Sequence, residues 1–123
     1  MNSVLHLGLV DTRGQTAALA VAGELDLFTA ADLGRGVEEV LNEYSTVILD
    51  LAGVTFCDSS GLNALLHLRR HAQDTGGQLA LAAPPAQMLR LLTLTGMDSV
   101  FALYGSLAEA WAAHPTPGAP PTA

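Results

Sequence analysis

The sequence contains no lysine and only one cysteine, and 5% of its residues are aromatic. Five arginines face twelve acidic side chains, which gives a formal net charge of −7. A nucleic-acid-binding protein needs a basic face that neutralises phosphates, and a protein held on anionic lipid needs clustered cations. The composition therefore predicts neither a nucleic-acid partner nor attachment to an acidic membrane surface.

The lone Cys57 has no second cysteine with which to form a disulfide or a CxxC site. We expect it to pack as a small hydrophobe and not to act as a redox sensor. The N-terminus lacks the charged segment and apolar run of a secretory signal. The apolar stretches also fall short of the roughly 20 residues that span a bilayer. We therefore expect a cytoplasmic protein without membrane insertion.

Half of the 123 residues are hydrophobic, which is enough for one domain with its own core. We predict a folded domain over residues 1–113. Residues 114–123 contain four prolines and no large apolar side chain, which is typical of a disordered tail.

The hydrophobic pattern predicts an α/β domain that begins with a hairpin of two strands, Val4–Val10 and Gln15–Ala22. Residues 23–27 read as a loop, and Thr29 reads as a helix N-cap that forms a capping box with Asp32. Strands and helices then alternate, which predicts a mixed sheet with parallel central strands. The remaining predicted elements are helix 29–43, strand 46–51, helix 60–73, strand 78–82, helix 86–95, strand 100–103 and helix 106–113.

Polar side chains are concentrated in Val54–Leu62, read as a connection between the strand at 46–51 and the next helix. Asp58 or Ser59 is suited to cap that helix, and because Asp58, Ser59 and Ser60 together offer more acceptors than one cap needs, a spare hydroxyl is left at the positive end of the helix. A phosphate there would add about −1.5 to −2 charges beside Asp58. The simpler interpretation is that the serines only cap the helix and that Gly61 permits close packing.

Three short motifs, in this order, resemble the STAS domain of bacterial anti-sigma factor antagonists. They are Gly23–Asp26, the Asp58–Leu62 motif after an apolar strand, and Leu91–Phe101. The resemblance covers roughly residues 4 to 112. It implies a STAS-like mixed sheet with about four helices packed mainly on one face, which agrees with the periodicity.

In that family the antagonist binds an anti-sigma factor that is itself a serine kinase, and so frees a sigma factor. Phosphorylation of the motif's second hydroxyl residue, here Ser60, abolishes binding, and a phosphatase restores it. The resemblance matches Asp26 to an acidic residue beside the acceptor. The implied partner-binding residues are Glu24, Asp26, Asp58, Ser59, Ser60, Gly61 and Asn63.

Two other functions are consistent with these residues. The chain could be a STAS adaptor subunit of a lipid-transport ATPase complex or a stress-signalling scaffold, with no modification of Ser60. It could also be an acyl-transfer enzyme, but the sequence lacks a Gly-x-Ser-x-Gly elbow around Ser60. His67 and His71 lie one helical turn apart without a third metal ligand. We expect no enzymatic activity, no metal and no cofactor.

Overall fold

The computed structural model describes residues 3–115 and contains one five-stranded sheet with four α-helices. In chain order the strands are β1 (Leu5–Arg13), β2 (Thr16–Leu25), β3 (Thr46–Cys57), β4 (Gln78–Ala82) and β5 (Ala102–Tyr104). The helices are α1 (Ala30–Glu43), α2 (Ser59–Asp74), α3 (Ala86–Leu94) and α4 (Leu107–Ala113), with a short 3-10 helix at Met97–Ser99.

The spatial order of the strands is the chain order, β1-β2-β3-β4-β5. β1 and β2 are antiparallel and are joined by a tight turn, in which Gly14 adopts a φ of 58°. The other neighbouring pairs are parallel, so each of their connections crosses over the sheet through a helix. The predicted mixed sheet with parallel central strands is confirmed.

Three helices cover one face of the sheet and α4 covers part of the other. Leu33 of α1, Leu65 of α2 and Leu92 of α3 are fully buried against the first face. On the second face Trp111 packs near Ile48, and the guanidinium of Arg13 lies 4.1 Å from the Trp111 ring centroid. The expected packing of helices mainly on one face is therefore also confirmed.

β2 and β3 are longer than predicted, and the loop expected at residues 23–27 is wrong over its first three residues. Each strand contains a glycine close to the end that the sequence predicted: Gly23 in β2 and Gly53 in β3. Both glycines lie within their strands. Gly23 has a φ of 108°, and a Cβ there would lie 2.1 Å from the Val4 carbonyl oxygen. A Cβ on Gly53 would lie 2.9 Å from that of Ala22. These glycines permit close backbone approach, next to irregularities in the β2–β3 register.

The predicted capping box of α1 is wrong. Thr29 is in the N-cap position, but its side chain makes no capping hydrogen bond. The Thr29 hydroxyl instead donates to the Glu24 carbonyl oxygen, at 2.7 Å, and accepts from the Asp26 N–H. Asp32 pairs with Arg35 on the helix surface. The turn before the helix competes for the Thr29 hydroxyl, and this competition cannot be read from local spacing.

The predicted tail lies, from residue 116 onward, outside the described residues, so the domain boundary at residue 113 stays a prediction. Within residues 3–115, no helix is both long enough and apolar enough to cross a membrane.

Candidate functional site

The carboxyl ends of β2 and β3 bring two of the sequence motifs together. Leu25 lies beside Cys57 in the parallel ladder, and the Asp58 N–H donates to the Leu25 carbonyl oxygen at 3.0 Å. The segment that contains Glu24 and Asp26 therefore runs alongside the start of α2, although the two motifs are far apart in the sequence.

Asp58 is the N-cap of α2. Its backbone is extended, and its Oδ1 accepts hydrogen bonds from the N–H groups of Ser60 and Gly61, at 2.9 and 3.2 Å. Two of the N–H groups left free at the helix start are thereby satisfied by one carboxylate oxygen. Of the two residues that the sequence offered as cap, Asp58 takes this role.

Gly61 lets the start of α2 lie directly on the end of β2. A Cβ at this position would lie 2.4 Å from the Leu25 carbonyl oxygen and 2.7 Å from the Leu25 Cβ. No side chain fits at that separation without a shift of the backbone. The glycine of the motif therefore sets how closely the helix approaches the strand.

The sequence predicted a spare hydroxyl at this motif, and within residues 3–115 the hydroxyls of both Ser59 and Ser60 make no hydrogen bond. Ser59 is exposed and Ser60 is half-buried. In the same range of residues, no buried side-chain oxygen or nitrogen lacks a partner. The hydroxyl of Ser60 is therefore accessible from solvent.

An apolar groove of about 390 Å³ lies between α1 and α2, with Ser60 on its wall. Small residues of α1, among them Ala31 and Gly34, hold this space open. Asn63 and His67 line it from α2, one and two turns after Ser60. Ser60 and Asn63, two of the predicted site residues, thus share one surface.

Asp26 organises the turn between β2 and α1. Its carboxylate accepts from the Ser3 hydroxyl and from the N–H groups of Phe28 and Thr29. These hydrogen bonds, that of Ser3 above all, lower the pKa of Asp26 below its ordinary value. The turn projects two large apolar side chains, Leu27 and Phe28, which are 71% and 76% exposed.

Leu27 also lines the groove, and sequence reasoning missed both apolar residues. Two large apolar side chains directly after the acidic residue of a turn were the available signal.

Glu24 is placed differently from the other predicted site residues. Leu25 is fully buried on the face covered by helices, so Glu24, one residue earlier in the strand, lies on the opposite face of the sheet.

Cys57 is fully buried at the end of β3, as expected for a small hydrophobe. Burial, with a smaller effect from the charge of Asp58, raises the pKa of its thiol to about 12.

The backbone of Cys57 is hydrogen-bonded to the side chain of Gln87. The Cys57 N–H donates to Gln87 Oε1 at 2.9 Å, and Gln87 Nε2 donates to the Cys57 carbonyl oxygen at 2.7 Å. Nothing in the sequence pattern indicated Gln87.

The pair His67 and His71 has no third ligand in the described part of the chain. More generally, residues 3–115 contain no group of three or more His, Cys, Asp or Glu side chains placed to hold a metal ion.

The architecture and the Asp58–Leu62 motif define a STAS domain, and the comparison with family models agrees. The model described as "Mlab, STAS domain" matches residues 9–105. The chain belongs to the STAS domain family.

Several of its relatives are named anti-sigma factor antagonists, and a sulfate transporter family protein from Wolinella succinogenes shares the fold, with a TM-score of 0.69 at 20% identity over 80% of this chain and 84% of that one. The anti-sigma-F factor antagonist RsfB of Mycobacterium tuberculosis is 32% identical over 76% of this chain and 77% of its own length. The crystal structure of an anti-sigma factor antagonist from Mycobacterium paratuberculosis superposes with a TM-score of 0.80 at 27% identity, over 89% of this chain and 93% of that one. The chain also spans 66% of the length of two Thermotoga relatives, at 30% and 31% identity.

Proposed function

We propose that this chain is an anti-sigma factor antagonist controlled by phosphorylation of Ser60. It binds an anti-sigma factor that is also a serine kinase, and it acts in the bacterial cytoplasm by freeing a sigma factor. The kinase transfers phosphate to Ser60 and so ends the binding, and a phosphatase restores it. The observation that carries this proposal is the solvent-accessible, unpartnered hydroxyl of Ser60, at the start of α2 and on the wall of the groove.

The surface around Ser60 has the composition of a protein-binding site. Leu27 and Phe28 supply exposed apolar area beside the groove, and Ser59 and Asn63 are exposed polar groups around it. Apolar contacts ringed by polar groups are typical of interfaces in which a few anchors carry most of the binding energy. Here Gly61 shapes the surface from beneath, where it lets α2 approach β2.

The charge of this surface indicates the chemistry of the partner. Asp26 and Asp58 lie at the ends of the two strands, and Glu24 would contribute at the margin, from the opposite face of the sheet. No arginine lines the groove. An anti-sigma factor with a cationic docking surface would therefore be complementary to this end of the molecule.

A phosphate on Ser60 would change this surface without refolding the domain. The carboxylate of Asp58 already accepts from the N–H groups of Ser60 and Gly61, so those groups are not free to bind the phosphate. The modification would add about −1.5 to −2 charges next to Asp58, with no arginine in the groove to neutralise them. The bulk of the phosphate, and the cost of removing its charge from water against the apolar groove, would then end the complex, which is a local switch.

Phosphorylation can be tested with matched serine variants. The purified chain is incubated with ATP and, one at a time, with the anti-sigma factor serine kinases of the same genome, and phosphate is located by mass spectrometry. We expect the wild-type protein and Ser59→Ala to be phosphorylated on Ser60, and Ser60→Ala to take up no phosphate. Equal stoichiometry in Ser60→Ala would show that the assigned acceptor is wrong.

Binding provides the second test. Ser60→Asp places a carboxylate on the wall of the apolar groove and should bind the kinase at least about tenfold more weakly, since this charge loses its water at the interface. Ser60→Ala should bind like the unphosphorylated wild type, and it should stay bound when ATP is added, whereas the wild type is released. Calorimetry measures both affinities, and equal binding by the two variants would contradict the switch.

The alternative is a STAS adaptor subunit of another assembly, such as a lipid-transport ATPase complex. In that case a pull-down would recover transporter subunits and no kinase. Substitution of Ser60 by alanine or aspartate would then leave the assembly intact.

A further inference from the structure

We infer that Gln87 is a positioning residue for the phospho-acceptor. Its side-chain amide replaces the strand that is missing beside the end of β3, and it thereby holds Asp58 and Ser60 in place. This role rests on the proposed phosphorylation of Ser60, whereas the hydrogen bonds that define it are independent of that proposal.

β3 loses one of its two neighbours halfway along. β4 pairs with Thr46–Asp50 only, while β2 continues beside β3 as far as Cys57. From Leu51 onward, therefore, the ladder that joins β3 to β4 is absent. A strand end that pairs on one side only is less constrained than a central strand, and here it leads directly into the site.

The hydrogen bond of Asp58 shows to which side the backbone N–H and C=O groups of Cys57 point. The Asp58 N–H donates to Leu25, on the β2 side, so the N–H and C=O of Cys57 point to the side that β4 does not reach. Cys57 is fully buried, so these two groups need partners. Gln87 supplies both, with one N–H and one carbonyl oxygen, as an adjacent strand would.

We name this pair of hydrogen bonds the Gln87 bridge. It joins α3 to the residue that immediately precedes the α2 cap. Asp58 is then fixed on one side by the Leu25 carbonyl oxygen and, through Cys57, on the other side by Gln87. Since Asp58 sets the first turn of α2, the Gln87 bridge sets the direction in which the Ser60 hydroxyl points. Phosphoryl transfer depends on such alignment, because small displacements of a reacting group reduce the rate strongly.

The first measurement concerns the Gln87 bridge alone. Gln87→Leu removes both hydrogen bonds and keeps a helix-forming side chain of similar length. Gln87→Glu can accept from the Cys57 N–H but cannot donate to its carbonyl oxygen. In Gln87→Leu we expect hydrogen exchange at the Cys57 amide to be faster by about three- to tenfold, as for the loss of one hydrogen bond. The exposed Gln73 of α2 is the control, and Gln73→Leu should leave this exchange rate unchanged.

The second measurement separates positioning from general stability. With the kinase that phosphorylates the wild-type chain, Gln87→Leu should lower kcat about tenfold, while KM for this chain stays within about twofold. Gln87→Glu should recover part of kcat, and Gln73→Leu should match the wild type. All rates are taken where each variant is fully folded by circular dichroism.

Three results would overturn the inference. Unchanged exchange at Cys57 in Gln87→Leu would mean that the Gln87 bridge does not form in solution. Faster exchange with an unchanged kcat would mean that it forms but does not position the acceptor. Absence of phosphate on Ser60 in the wild type would refute the proposed function, and with it this role, while the exchange data would still report whether the bridge exists.

Discussion

The two halves of β3 have opposite characters. Thr46–Asp50 pairs with strands on both sides, and Val47, Ile48 and Leu49 are fully buried between α-helices on the two faces of the sheet. Leu51–Cys57 pairs with β2 only, contains two irregularities in register and includes the exposed Phe56. The first half has no surface to offer a partner, whereas the second half leads into Asp58 and Ser60.

This difference separates a part of the strand that stabilises the fold from a part that positions the candidate site. The first half of β3 is stabilised by regular strand pairing and by burial, and it needs no single side-chain contact to hold its backbone. The second half depends on single groups that stand in for regular structure: Gly61 against Leu25, Asp58 on the first turn of α2, and the amide of Gln87. Substitutions should therefore separate into those that unfold the domain and those that mainly disturb the site.

The largest expected change in the free energy of unfolding comes from a substitution in the first half of β3. Leu49→Ala should lower the free energy of unfolding by about 2–5 kcal/mol, because it leaves a cavity in the core. Thr55→Ala, in the exposed part of the second half, should change it by less than about 0.5 kcal/mol. Urea unfolding measures both. Similar losses in the two variants would break the contrast between the halves.

The next effect tests the contact between α2 and β2. Gly61→Ala places a Cβ against the Leu25 backbone and should destabilise the domain by about 1–3 kcal/mol. It should also lower the phosphorylation rate of Ser60, because the start of α2 must move. For stability alone, Gly34→Ala is the matched control, since a Cβ there meets no atom within 4 Å. That variant should gain about 0.5–1 kcal/mol, because alanine is the better residue inside a helix.

A smaller effect is expected at the cap of α2. Asp58→Ala should cost about 1 kcal/mol, because two N–H groups of the helix lose their acceptor. Asp58→Asn keeps a capping oxygen and should retain most of the stability, apart from a few tenths of a kcal/mol from the helix dipole. Thermal unfolding at low salt compares the two variants. An equal loss in both would mean that charge, and not the hydrogen bonds, is what Asp58 contributes.

The smallest effect is a dependence on pH at the turn. The pKa of Asp26 is lowered in the folded protein, so the ionised carboxylate stabilises the fold. This contribution is complete above the ordinary pKa of 3.8 and is lost as pH falls through the lower folded-state value. The difference in unfolding free energy between wild type and Asp26→Asn should therefore be constant from pH 7 to about 5 and shrink below 3.8. Asp98→Asn serves as the control for simple loss of charge, and a difference that grew on acidification would contradict this role of Asp26.

Sequence periodicity predicted the sheet well because most of its signal comes from buried apolar positions such as Ile48 and Leu81. It predicted the end of β3 poorly, because glycine weakens a strand pattern whether it ends the strand or lies against another backbone, as Gly53 does. The site was predictable where it is local: Asp58, Ser60 and Gly61 form one motif.

The rest of the site depends on contacts that no short window contains. The hydroxyl of Thr29 is taken by the turn before α1, and a local pattern cannot show this competition. The amide of Gln87 meets Cys57 only because β4 stops short and α3 follows it. Both contacts depend on how the elements pack against one another in three dimensions.

The agreement between chain order and sheet order has a consequence for how this protein is made. The groove beside Ser60 is lined by one continuous stretch of the chain, Leu27 to Leu68, which is complete before β4, β5 and α4 are synthesised. Domains emerge from the ribosome amino terminus first. We expect the groove between α1 and α2 to form during synthesis, before β5 and α4 are available, and the side chain of Gln87 to join it as a late contact. The newly made chain would thus form the groove first and the contact between Gln87 and Cys57 last.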